Sequence, residues 1–213
     1  YLIDDATLYD EWLQGWDNYG PRYSFDLKGD EVTQEVVDAA FEVLQYYLGP
    51  NYEQNFNEDH FQNLTDMFSD SNFFYGGYQT TRLMLQHSQQ RIYQYELTHV
   101  GENSNLNFFG LQTIGVCHSD DLYYLFQPYY GFGEELNERD AIVSDRLLEY
   151  WTNFAKYGDP TPPNSEMTTW TPLSADTRAY MNIGFESRME LSDTYISRME
   201  FWDSIVQKLG LFP

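Results

Sequence analysis

Basic residues and cysteine are both scarce in this chain. Lys and Arg number 11 among 213 residues, against 34 Asp and Glu, for a formal net charge of -23. That much negative potential repels nucleic-acid backbones and anionic membranes, so neither is expected as a partner. The single cysteine, Cys117, excludes a disulfide within the chain. No apolar run approaches the length of a membrane span, and Tyr1 opens no signal peptide. His60, His87 and His99 lack zinc-type spacing with one another; they read as surface residues, and no metal is expected.

Apolar and aromatic content is ample. Hydrophobic residues make up 42% and aromatics 18%, which excludes a disordered chain, and the length suffices for one domain with a substantial core. The acidic surface favours solubility, and the sequon Asn63-Leu64-Thr65 marks Asn63 as a glycosylation candidate. Both suit a secreted, extracellular protein, a reading that rests mostly on the family resemblance set out below.

Hydrophobic spacing predicts helices at 1–18, 31–48, 57–68, 71–88, 139–157 and 193–209. In the second, Val32, Val36, Ala39, Ala40, Val43, Leu44 and Tyr47 form one stripe, with Asp30 as its cap and Gly49-Pro50 as its stop. Gly20-Pro21 to Lys28-Gly29 reads as a loop, and Ser69 or Asp70 as the cap of the fourth helix. Alternation of β-formers predicts a strand at Arg91–Leu97, and Thr177–Ile183 reads as an edge strand. With no internal repeat and no linker, this mixture suggests an α/β domain over 1–213.

The stretch with the clearest chemical content is Gly115-Val116-Cys117-His118-Ser119-Asp120-Asp121-Leu122-Tyr123-Tyr124-Leu125-Phe126. It sets a titratable His118 in a turn just before an aromatic run, where a general base can be held rigidly and still be reached. This block resembles the histidine motif of the type-B carboxylesterase and cholinesterase family. Tyr93-Gln94-Tyr95-Glu96-Leu97 resembles the strand before that motif, and Tyr150-Trp151-Thr152-Asn153-Phe154-Ala155-Lys156-Tyr157-Gly158-Asp159-Pro160 is similar to the signature after it. Trp170-Thr171-Pro172, Ala179 to Ile183 and Phe201-Trp202 continue the likeness in order, with a flavour nearest to arthropod carboxylesterases. Trp151, Phe154, Phe201 and Trp202 read as core residues. Cys117 reads as a small packing residue.

The resemblance implies an α/β-hydrolase fold with a mostly parallel central sheet flanked by helices. It also implies a serine esterase in which His118 is the base of a Ser–His–acid triad, with no cofactor. Asp120 and Asp121 then read as structural or solvated, one of them orienting the loop that carries His118. Phe73, Phe74, Phe108 and Phe109 either line an ester pocket or pack in the core. The chain has no Gly-x-Ser-x-Gly, the elbow that presents such a serine, and Gly76-Gly77 lies in a helical pattern rather than an oxyanion loop. The family's acid is expected just before Tyr1, with Asp4 or Asp5 as the alternative. The expectation is therefore a single C-terminal portion of a carboxylic-ester hydrolase, completed by an N-terminal chain and acting on a small ester. The rival expectation is an inactive esterase-like adhesion, matrix or ligand-binding protein of the neuroligin or glutactin kind.

Overall fold

The computed structural model describes residues 6–27, 32–52, 58–110, 115–126, 135–174, 177–191 and 193–211. The expected roles of Asp4, Asp5 and Asp30 fall outside those residues. The chain divides into two compact units, Tyr1–Leu83 with Asp193–Pro213, and Met84–Ser192.

The first unit is helical: α1 (Ala6–Gln14), α2 (Trp16–Phe25), α3 (Gln34–Leu48), α4 (Glu58–Ser69), most of α5 (Tyr75–His87), and α9 (Asp193–Leu209) after the second unit's elements. Helix α3 starts later than its apolar stripe suggested, because the Thr33 hydroxyl accepts from Val36 N–H and caps it there. Trp16, Val43, Leu44, Met67, Met199, Trp202 and Ile205 pack its core, each contributing about 1.5–3 kcal/mol if fully removed from water.

Two punctuation signals did not act as such. Gly20-Pro21 lies inside α2 rather than in a loop. The Trp16 indole lies against Gly20, where an added Cβ would come within 2.6 Å of it, and its Nε1 donates to the Ala40 carbonyl at 3.0 Å. Packing on this buried face outweighs the hydrogen bond that Pro21 cannot make. Asp70 likewise caps no new helix; α4 runs into α5 through one π-helical turn, Asp70–Phe74. Its carboxylate turns inward and accepts from Tyr47 Oη at 2.6 Å and from Arg198 Nε at 2.6 Å. Trp202 Nε1 completes the network by donating to Tyr47 Oη at 2.8 Å.

The second unit holds β1 (Tyr95–Leu97), α6 (Asn105–Phe108), α7 (Asp121–Leu125), α8 (Glu138–Tyr157), β2 (Ala179–Ile183) and β3 (Arg188–Leu191). The sheet order is β1-β2-β3, with β1 parallel and β3 antiparallel to β2. The described sheet is thus mixed, not mostly parallel: a long crossover carrying α8 joins β1 to β2, whereas a tight turn brings β3 back. Strand β2 is central rather than an edge, and its buried Ala179, Met181 and Ile183 reflect that. Helix α8 packs Val143, Leu147 and Tyr150 into the core with Met181 and Ile183. That face leaves Trp151 45% and Phe154 48% exposed, so these two are not the core residues that the sequence suggested.

Candidate functional site

His118 sits between the segment after β1 and the start of α7. Its side chain is exposed, and the backbone around it is held from several sides. Ser119 adopts a left-handed φ of 71°, uncommon for a residue with a Cβ, which turns the chain into α7. Asp120, only 3% exposed, accepts from Cys117 N–H and from Asn105 N–H, both at 2.8 Å. Asn105 Nδ2 in turn donates to the His118 carbonyl at 2.8 Å, and Tyr123 Oη donates to Asn105 Oδ1 at 3.2 Å. Burial pushes the Asp120 carboxyl above the usual carboxylate range, against the pull of those two amides.

The neighbours of His118 are engaged in structure. Asp121 accepts from Tyr95 Oη at 3.2 Å, which ties α7 to β1. Burial, then the charge of Asp120, pushes the Cys117 thiol up, and a disfavoured thiolate is a poor nucleophile. Phe108 and Phe109 end α6 with their rings in edge contact, 48% and 70% exposed, so core packing does not account for them. In the helical unit, Phe73 is also exposed, whereas Phe74 packs against that unit's own core.

A second polar knot supports the segment leading to α6. His99 is buried, not on the surface as its spacing alone suggested, and its Nε2 meets Asp140 Oδ1 at 2.7 Å. The other Asp140 oxygen accepts from Glu102 N–H at 3.1 Å, and Asn107 Nδ2 donates to the Glu102 carbonyl at 2.6 Å. Only glycine fits at 101, since a Cβ there would lie 2.5 Å from Asp140 Oδ1. Sequence reasoning missed Asn105, His99 and Asp140; the one available signal was the Asn-rich run from 101 to 110.

A separate aromatic cleft of about 200 Å³ opens beside α8, lined by Tyr93, Tyr95, Tyr150, Trp151, Phe154, Pro160 and Trp170. It offers surface for packing but no acid–base pair for chemistry. Among the described residues, no group of three His, Cys, Asp or Glu is placed to hold a metal ion.

The sequence model of the carboxylesterase family matches residues 14–202. The chain belongs to the carboxylesterase family. That match takes in the whole His118 loop, and the family implies an α/β-hydrolase fold, with which the helices and small mixed sheet agree. Among relatives, the chain is 34% identical to juvenile hormone esterase of Tribolium castaneum over 123 residues, covering 53% of this chain and 20% of that protein. It is 38% identical to bile salt-activated lipase of Rattus norvegicus over 71 residues, covering 33% of this chain and 12% of the lipase. With esterase FE4 of Myzus persicae it shares 24% identity over 173 residues, covering 78% of this chain and 29% of the esterase. The matches thus span less than a third of each of these carboxylesterase relatives.

Asn63, the glycosylation candidate, lies half-buried on α4, between the exposed Gln62 and the buried Leu64. The hydroxyl of Thr65 is exposed and donates back to the Phe61 carbonyl at 2.9 Å. Among the described residues, no helix is long and apolar enough to cross a membrane.

Proposed function

We propose that this chain is the C-terminal portion of a secreted serine carboxylic-ester hydrolase and supplies its general base, His118. The observation that carries the reading is an exposed imidazole on a backbone pinned by Asp120 and Asn105, within a chain of the carboxylesterase family. The nucleophilic serine and the oxyanion donors then belong to an N-terminal portion, since no Gly-x-Ser-x-Gly occurs among the 213 residues. Two surfaces suit that partner: β1 is an edge of the described sheet, and the aromatic cleft lies beside it.

In this mechanism His118 accepts the serine proton as serine oxygen attacks the ester carbonyl. The resulting imidazolium donates that proton to the departing alcohol as the carbon–oxygen bond breaks. His118 then takes a proton from water as it attacks the acyl-enzyme, and returns that proton to the serine oxygen as the acid leaves. Backbone amides of the partner portion stabilise the oxyanion in both halves. Proton and charge balance within each turnover, and no cofactor enters. The substrate class is a small carboxylic ester.

Treatment of the full-length protein with a fluorophosphonate probe tests this directly. Label on a serine outside this chain supports the reading. An intact fold that takes no label would assign the protein instead to the inactive adhesion or binding relatives.

A further inference from the structure

We infer that Asp120 and Asn105 are positioning residues that fix the His118 backbone so that its imidazole meets the serine. The inference rests on the reading of His118 as base. The two residues grip the backbone at Cys117 and at His118. Asp120 Oδ2 holds the amide of Cys117 before it, and Asn105 Nδ2 holds the carbonyl of His118 itself, each at 2.8 Å. Asp120 Oδ1 closes the ring by accepting from the Asn105 amide, so α6 and the His118 turn move as one body.

The geometry demands a carboxylate at 120. Each of its oxygens faces a backbone N–H, and neither faces an acceptor. An asparagine of the same shape must aim its NH₂ at one of those two amides, whichever way it is rotated. One bond is then replaced by a donor–donor clash inside a buried site. The imidazole is carried on this backbone, so a shift there passes to its ring nitrogens.

Full-length Asp120→Asn is expected to lose kcat by about 100-fold, the effect of a misplaced base, with KM within about twofold of wild type. Its rate of labelling by the fluorophosphonate probe should fall in step, because that rate also depends on His118 accepting the serine proton. Asn105→Ala keeps the backbone amide that meets Asp120 and removes the side-chain bonds to the His118 carbonyl and the Tyr123 hydroxyl. It should lose about fivefold in kcat and serves if Asp120→Asn fails to fold. The decisive control is the His118→Ala background, in which Asp120→Asn should leave the residual rate unchanged, because its effect passes through the imidazole. Wild-type kcat in both single variants, or an equal loss in the two backgrounds, overturns the positioning role. Full turnover in His118→Ala alone overturns the reading of His118 instead.

Discussion

In the helical unit the buried carboxylate of Asp70 meets side chains, whereas in the sheet unit that of Asp120 holds two backbone amides and that of Asp140 holds one beside His99. The partners differ because the tasks differ. Tyr47, Arg198 and Trp202 come from helices α3 and α9, so their network with Asp70 ties together segments far apart in sequence. Asp120 and Asp140 instead set the shape of short irregular segments that have no ladder of their own. The first arrangement joins distant helices; in the reading proposed above, the second helps to place one exposed histidine.

Breaking the side-chain network should give the largest stability effect. Asp70→Ala leaves the Tyr47 hydroxyl without its acceptor and Arg198 with Asp66 alone, and should cost about 3–5 kcal/mol in denaturant unfolding of the full-length protein. Next, Leu147→Ala removes a fully buried side chain from the sheet-unit core and should cost about 2–5 kcal/mol. Comparing the two variants sharpens the contrast, since kcat per folded molecule should survive Asp70→Ala. Tyr47→Phe should be milder, about 1–3 kcal/mol, because it leaves Asp70 with Arg198 and orphans one lone pair and the Trp202 N–H. Burial, then the bond to Asp70, holds the Tyr47 hydroxyl far above the usual phenol range, so alkaline titration should not ionise it before unfolding. At the small end, Lys208→Ala removes an exposed pair with Glu42 and should leave the unfolding midpoint unchanged.

The regular parts of this structure were legible because their signals are local. The stripes of α3 and α9, the strand residues Tyr95 to Leu97 and the stop at Gly158 all follow from spacing and caps within a few residues. What escaped was decided at a distance. Gly20-Pro21 reads as a loop until Trp16 is seen to cover it and reach Ala40, and β3 is too short to announce itself without β2. His99 reads as a surface residue because its partner Asp140 lies 41 positions away. The His118 motif was legible as a family resemblance, yet the clamp from Asn105 depends on a contact 13 residues back. No local pattern encodes such a contact.

The central claim is that His118 is a general base in ester hydrolysis, and steady-state turnover of His118→Ala in the full-length protein tests it most directly. With the unfolding midpoint unchanged, kcat should fall at least about 10⁴-fold, as when a triad member is removed. Turnover at the wild-type rate by a folded His118→Ala protein would contradict it.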